Sequence, residues 1–340
     1  MRDALLEIQD LAKYYPVTEG ALRKVTGHVK AVDHVDLSVR DGETLGLVGE
    51  SGCGKTTLGK CLVRLHRPTS GRILLRSADG SMQDLLSLQG KESFRTRRRI
   101  QMVFQDPYSS LNPVKNILSA FDEPLRIHGF GNGARRRDIV EEALRAVNLQ
   151  PDYMYRFPHE FSGGQRQRIC IARALSLKPE VVVCDEPVSA LDVSIQAQIL
   201  NLMKALQKQY RLTYVFIAHD LSVVQYMSDR VAVMYLGKVV ELADSASLYA
   251  GCRHPYTEAL LSAVPIPVLG ARKDRILLSG DVPSPVDPPS GCRFHPRCPK
   301  RMDVCREKEP LLQEVRGAPA AAEGAGHFVA CHLAERGGKR

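Results

Sequence analysis

The feature that most constrains this chain is the glycine-rich run Gly49-Glu50-Ser51-Gly52-Cys53-Gly54-Lys55-Thr56. It fits the pattern GxxxxGK[ST], in which glycines let the backbone wrap an anion with its N–H groups pointing inward. A short apolar run, residues 44–48, precedes it, and residues 58–65 read as a helix that begins inside the loop. Strand, glycine loop and helix in that order form a phosphate cradle, because the helix adds the positive end of its dipole. In such a cradle Lys55 reaches the β- and γ-phosphates of a nucleotide, and the Thr56 hydroxyl ligates Mg²⁺.

A second element fits the first. Residues 181–184 are Val-Val-Val-Cys, a buried-strand pattern whose end delivers Asp185 and Glu186. Asp185 is expected in the Mg²⁺ shell and Glu186 as the general base that polarises the attacking water. Further strand patterns fall at 5–11, 32–39, 213–218 and 231–235, with turns at Asp41-Gly42 and Gly237. Residues 16–30 read as a polar insertion. Helical spacing appears across 107–149, most clearly at 138–147, and again at 194–206. Strands alternating with helices imply an α/β core with a largely parallel sheet.

Bulk properties narrow the partners. The chain has 340 residues, 44% hydrophobic and 25% charged, enough for a real core and an appendage. No segment approaches the roughly 18–20 apolar residues that span a bilayer. The N-terminus, with Arg2, Asp3 and Glu7, does not read as a secretory signal. The expectation is a cytoplasmic chain that reaches a membrane only through a partner. The net charge is +9, with arginine runs at 97–99 and 135–137. Those runs leave three readings open: a nucleic-acid face, the anionic leaflet of a membrane, or solvated helix surfaces. No aromatics interleave with them, as a single-strand binder needs. After residue 251 prolines break any long element, and 317–326 read as an Ala/Gly-rich linker. Four of the nine cysteines, Cys292, Cys298, Cys305 and Cys331, lie in this tail and read first as a metal site. Four thiolates suit Zn²⁺ or a [4Fe–4S] cluster, with free thiols as the alternative; His295, His327 and His332 are possible substitutes.

The segment Phe161-Ser162-Gly163-Gly164-Gln165-Arg166-Gln167-Arg168 resembles the signature motif of ABC-transporter ATPases, with Phe where Leu is commonest. That resemblance implies a P-loop NTPase fold with a RecA-like core, an antiparallel β subdomain and a helical subdomain at about 106–178. It assigns residues 1–250 to the ATPase and 251–340 to a Cys/Pro-rich extension. It makes Gln105 the Q-loop glutamine, Ser189-Ala190-Leu191-Asp192 the D-loop and His219 the switch histidine. The implied catalytic set is Lys55, Gln105, Glu186 and His219. Nucleotide contacts fall to Tyr15 (rather than Tyr14) on adenine, to residues Gly49 through Thr56 with Thr57, and to Gln105, Asp185, Glu186 and His219. Thr56, Gln105 and Asp185 would surround Mg²⁺. Ser162, Gly163, Gly164, Gln165 and Asp192 would serve the ATP of an opposite subunit, so that each site is complete only in a head-to-tail dimer. Cys53 lies in the phosphate loop, whose chemistry uses the backbone, so no redox role is assigned to it.

A narrower likeness covers nearly the whole chain. The segments at 105–113, 185–194 and 253–257, and Leu278-Ser279-Gly280-Asp281-Val282-Pro283-Ser284-Pro285, look like those of dipeptide/oligopeptide importers, nearest the second, F-type ATPase. This implies ATP-driven peptide uptake at the cytoplasmic face of the inner membrane. The implied partners are a different ATPase, two transmembrane permease subunits and, indirectly, an extracytoplasmic peptide-binding protein. The wide cysteine spacing also resembles that subfamily's tail, which implies a [4Fe–4S] cluster. Other small cargo, such as nickel or glutathione, is the alternative within the class. A nucleic-acid-associated ABC ATPase is the alternative outside it; repair types need a long coiled-coil insertion and translation types two cassettes. A half-transporter for export would need fused membrane helices.

Overall fold

The computed structural model describes residues 4–20, 24–264, 274–315 and 326–335. Arg2, Asp3, Pro265, Pro267 and all of 317–326 except Gly326 lie outside the described residues.

Two sheets organise the chain. The first is antiparallel and four-stranded, in the order β2-β1-β4-β5, built from β1 (Ala4–Glu19), β2 (Lys24–Arg40), β4 (Ser70–Arg76) and β5 (Met82–Asp84). Between β1 and β4 in sequence lies β3 (Thr44–Val48), which belongs to the second sheet. The expected polar insertion at 16–30 is instead the far end of the β1–β2 hairpin, with Pro16 opposite His28 and Glu19 opposite Lys24. Its residues are polar because this ribbon is largely exposed, so alternation with a buried face is weak there.

The second sheet has eight strands in the order β11-β12-β10-β9-β3-β8-β7-β6. The strands not yet placed are β6 (Ile100–Val103), β7 (Val181–Asp185), β8 (Thr213–Ile217), β9 (Arg230–Tyr235), β10 (Lys238–Asp244), β11 (Gln313–Glu314) and β12 (Phe328–Val329). The five strands from β9 to β6 run parallel. Every residue of β3, β7 and β8 is buried, which explains why they read as unbroken apolar runs rather than alternating ones. The α/β core with its parallel sheet is therefore as the sequence implied.

Helices cover this sheet and build the middle of the chain: α1 (Lys55–Leu62), α2 (Gly90–Arg97), α3 (Ile117–Ile127), α4 (Gly133–Ala146), α5 (Gly163–Ser176), α6 (Val193–Tyr210) and α7 (Leu221–Met227). Helix α1 stops at Leu62, short of the expected 65, because Arg64 turns into the left-handed region at φ 61°. Helix α4 starts earlier than its apolar spacing suggests, because Asn132 caps it by accepting from the Arg135 N–H at 3.0 Å. Phe121, Leu125, Val140, Leu144, Met154 and Ile169 pack α3, α4 and α5 into one apolar cluster.

Helix α8 (Ser245–Gly251) leads into the tail, which holds α9 (Pro255–Ser262), α10 (Val304–Glu307) and α11 (His332–Glu335). Although loop-rich, the tail joins the core. Strand β12 pairs with β10, Glu241 opposite Val329 and Leu242 opposite Phe328, and so covers an edge of the main sheet. Glu241 is fully buried; its carboxylate accepts from the Arg253 and His254 N–H groups and meets His327 Nε2 at 2.7 Å.

Candidate active site: a phosphate loop, two acids and a helix N-terminus

The glycine loop connects β3 to α1, at the C-terminal edge of the parallel strands, where open α/β sheets bind ligands. Two glycines there are obligatory. Gly49 has φ 148° and a Cβ would meet the Met234 carbonyl at 2.2 Å; Gly54 has φ 108° and a Cβ would meet the Ala31 carbonyl at 1.9 Å. The loop is thus pressed against the β9–β10 turn and β2, leaving no room for a side chain on that side. Helix α1 begins at Lys55 and directs the free N–H groups of its first turn into the loop.

Lys55 is buried, and its ammonium donates to the carbonyls of Gly49 at 2.8 Å and Glu50 at 3.0 Å. The charge is therefore aimed along the loop, where a phosphate oxygen offers a charged acceptor. Thr56 Oγ1 donates to Asp185 Oδ1 at 2.8 Å, which unites two of the three expected Mg²⁺ ligands, from α1 and β7. Burial holds the Asp185 carboxyl above its usual range, with the Thr56 hydrogen bond acting the other way. A hydroxyl and a buried carboxylate are hard oxygen donors that fit Mg²⁺, and a divalent cation offsets the cost of burying that charge. Cys53 is buried, which raises its thiol pKa, so it stays a neutral packing group.

Glu186 follows β7 with φ 46° and is fixed by its N–H to the Ile217 carbonyl at 2.9 Å. One carboxylate oxygen, Oε2, accepts from Gln105 Nε2 at 2.9 Å and lies 3.1 Å from His219 Nδ1. Gln105 comes from the loop after β6 and His219 from the loop after β8, so three neighbouring strand ends converge on one oxygen. Gln105 here contacts Glu186 rather than Thr56 or Asp185. Tyr15 hydrogen-bonds Thr57 and lies edge-on to His66, with Lys13 Nζ 4.8 Å from its ring centre. Tyr14 instead commits its hydroxyl to Asp33. Of the two aromatics, Tyr15 is the one beside the phosphate loop.

The signature residues occupy a helix start. Ser162 caps α5 by accepting from the Gln165 N–H at 3.3 Å, and Gln165 Oε1 accepts from the Ser162 N–H at 3.0 Å. The D-loop and the start of α6 pack beside it: a Cβ on Gly163 would meet Leu191 Cδ2 at 3.5 Å and one on Gly164 would meet Ile195 Cγ2 at 2.6 Å, with Asp192 exposed ahead of α6. The same helix grips the loop after Gln105. Arg166 lies over Tyr108, 4.1 Å from the ring centre, and Arg173 Nη1 donates to the Ser110 carbonyl at 2.7 Å.

Sequence reasoning missed the residues that brace this pocket from the tail. The Tyr256 hydroxyl accepts from the Glu50 N–H at 2.8 Å, and Arg297 holds the Glu50 carboxylate. No local signal marks such pairs, whose partners lie 206 and 247 residues apart in the chain.

The arginine runs are partly absorbed by the fold. Arg99 forms a fork on Glu180 at 2.5 and 2.7 Å, and Arg136 pairs with Asp122 at 2.6 Å. In the tail, no group of three or more His, Cys, Asp and Glu side chains among the described residues is placed to hold a metal ion. The expected metal centre at Cys292, Cys298, Cys305 and Cys331 is therefore not shown. His295, His327 and His332 contact the Cys292 carbonyl, Glu241 and the Lys308 carbonyl.

A glycine loop between strand and helix, with a hydroxyl–carboxylate pair and a poised glutamate at neighbouring strand ends, defines a P-loop NTPase. The ABC transporter family matches residues 32–189, and the C-terminal region of the oligopeptide/dipeptide transporters matches 240–305. The oligopeptide transport ATP-binding protein AppF of Bacillus subtilis is 51% identical over 336 residues, covering 98% of each chain. The putative oligopeptide transport ATP-binding protein YkfD of the same organism is 53% identical, over 97% of this chain and 95% of its own. Among solved structures, the dimeric post-hydrolysis form of the cassette MJ0796 with ADP and Pi matches at TM-score 0.60 and 28% identity, covering 71% of this chain and 98% of that one. The chain belongs to the ABC-transporter ATPases, in the branch with the oligopeptide/dipeptide C-terminal region, and it is an ATPase. No described helix is long and apolar enough to cross a membrane.

Proposed function

We propose that this chain energises uptake of dipeptides or oligopeptides, as one of two ATPases beneath a pair of membrane permease subunits. The observation that carries the reading is the full-length match to relatives named for oligopeptide transport, on a chain that keeps every group hydrolysis needs. Residues 1–250 form the ATPase and 251–340 the extension. ATP is gripped at Gly49–Thr57 with adenine against Tyr15. Thr56 and Asp185, with Gln105 nearby, would hold Mg²⁺, which would supply charge neutralisation for the phosphates. Glu186 takes a proton from the attacking water, while Gln105 and His219 orient its carboxylate. Ser162–Gln165 and Asp192 close on the ATP of a second, different ATPase, and that subunit's signature closes on the ATP held here. Closure excludes water and completes the constellation. The groove at Tyr108–Pro113, gripped by α5, suits a helix of a permease subunit, which supports a position at the cytoplasmic face of the inner membrane.

The test is purification of the tagged full chain with its membrane partners and reconstitution with a peptide-binding protein. The expected result is two permeases, a second ATPase and peptide-stimulated hydrolysis. Stimulation by nickel or glutathione but not by peptides would replace the cargo, and co-purifying nucleic acid would replace the class.

The four tail cysteines are proposed as ligands of a [4Fe–4S] cluster rather than zinc. Their support is the chemistry around the sulfurs. Burial raises the thiols of Cys292, Cys298 and Cys331, and the N–H groups of Phe294, of Lys300, and of Leu333 and Ala334 act the other way as donors that favour thiolates. Burial pushes the Cys292 thiol up to about 12, and the charges of Cys331, Cys305 and Cys298 add to the shift. Four thiols close enough to sense one another's charge suit a cluster with four thiolate ligands. Iron and sulfide in anaerobically purified protein are the expected finding; zinc, or no metal, would remove the cluster.

A further inference from the structure

We propose that Arg297, in the cysteine-rich tail, is a positioning residue for the phosphate-binding loop, acting through Glu50. Its guanidinium meets the Glu50 carboxylate as a fork, Nη1 to Oε2 at 2.8 Å and Nη2 to Oε1 at 3.2 Å. The arginine side chain is 9% exposed and the glutamate 26%, so the pair is well shielded from solvent screening. Glu50 is thereby fixed by three handles at once. Its carboxylate is in the Arg297 fork, its N–H donates to the Tyr256 hydroxyl at 2.8 Å, and its carbonyl accepts from Lys55 Nζ at 3.0 Å. Two of those handles come from the tail and the third is the phosphate-gripping lysine. The tail thus sets the position of a peptide unit on which Lys55 itself rests.

The segment carrying Arg297 is anchored as a brace must be. Arg293 forms an ion pair with buried Asp33 and donates to the Leu236 carbonyl in the β9–β10 turn. The next residue of that turn, Gly237, donates its N–H to the Cys53 carbonyl at 2.9 Å, a second grip on the same loop. Between the two arginines Phe294 is buried against Tyr235 and Tyr256, with ring centres 5.3 and 5.4 Å away. A planar fork seated on a rigid aromatic wall holds a carboxylate in one orientation, which a flexible ammonium does not.

The inference rests on Gly49–Thr56 binding ATP, and Lys55→Ala tests that separately, since hydrolysis surviving it would remove the ATP reading whatever Arg297 does. The experiment is a double-mutant cycle in the assembled transporter, with Arg297→Met, Glu50→Gln and both together, measuring KM for ATP, kcat and Tm. Each single variant should raise KM about ten-fold with a much smaller change in kcat, because a charge-assisted fork is lost from binding geometry rather than from chemistry. In the Glu50→Gln background Arg297→Met should add nothing, and Arg297→Lys should recover part of the loss. An unchanged KM in Arg297→Met overturns the proposal. So does a rise in KM that is as large with Glu50 already replaced, since the arginine would then act through folding of the tail. Should Arg297→Met fail to fold, Arg297→Lys and Glu50→Gln form the same cycle.

Discussion

The phosphate loop and the signature motif are both helix N-termini built to receive an anion, yet they are equipped differently. At the loop, α1 is surrounded by a buried lysine, a hydroxyl–carboxylate pair and a glutamate held by Gln105 and His219. At the signature, α5 offers a serine, two glycines and a glutamine locked in a capping box, with no acid in its first turn. All the proton-transfer chemistry is on one side, and the other side can only bind. The contrast follows from topology: the loop lies where parallel strands end and can collect side chains from several of them, whereas α5 starts in the helical region, beside the D-loop, the start of α6 and Tyr108. In the function proposed above, such a chain hydrolyses efficiently when another chain's bare helix end faces its equipped one.

The hardest way to break that contrast is to remove the base. Glu186→Gln keeps the hydrogen-bonding shape but cannot accept a proton, and general bases contribute roughly 10²–10⁴-fold. Steady-state hydrolysis in the assembled transporter should fall by about 10³ while ATP still binds. Retained turnover would move the base elsewhere, with His219 the next group on the same oxygen.

A smaller effect should follow from spoiling the bare side. Gly164→Asp places a carboxylate at the start of α5, against Ile195, whose Cγ2 lies 2.6 Å from the Cβ position. The added charge repels phosphate and the added atoms push on α6. Hydrolysis at the partner's site should drop by about 10- to 100-fold, since a few kcal/mol of anion stabilisation is at stake. Nucleotide binding to this chain's own loop should be unchanged. Equal loss of that binding would show that the two regions are not separable within one chain.

How far this contrast could be read from the sequence depends on what each feature is made of. The loop, Asp185–Glu186 and the signature are local strings whose neighbours in the chain are also their neighbours in space, and the structure brings Lys55, Thr56, Asp185, Glu186, Gln105 and His219 together. The strands β3, β7 and β8 were legible because burial on both faces makes them apolar throughout. What stayed hidden was long-range or exposed. The outer β1–β2 ribbon looked like an insertion because neither face is deeply buried. Strand β12 is two residues long and exists only because β10 offers an open edge. The Glu50–Arg297 and Glu50–Tyr256 contacts join residues with no shared motif, so the tail read as an appendage when it braces the phosphate side.

That bracing sharpens the contrast in a pH-dependent way, since it touches only the equipped side. His254 caps α9 by accepting from the Tyr256 N–H at 3.1 Å, and the Tyr256 hydroxyl in turn accepts from the Glu50 N–H at 2.8 Å. Burial lowers the His254 pKa from its ordinary 6.5 to about 4, and the Glu241 charge opposes that shift only in part. A depressed folded-state pKa means the unfolded chain takes up the proton first. The stability this neutral histidine preserves is whole above pH 6.5 and is lost as pH falls from there toward about 4. At pH 5.5, one unit into that window, the loss is about 1.4 kcal/mol, or a Tm drop of about 2 °C for a chain of this length. His254→Asn keeps a capping acceptor without the titration. Thermal unfolding of the full chain between pH 7.5 and 5 should therefore show a shallower acid slope for the variant than for the native chain. Apparent ATP affinity, measured at the same pH values, should follow that slope while the capping of the partner's ATP does not. Parallel slopes for the two proteins would mean that the acid sensitivity of the phosphate side arises in another group than the α9 cap.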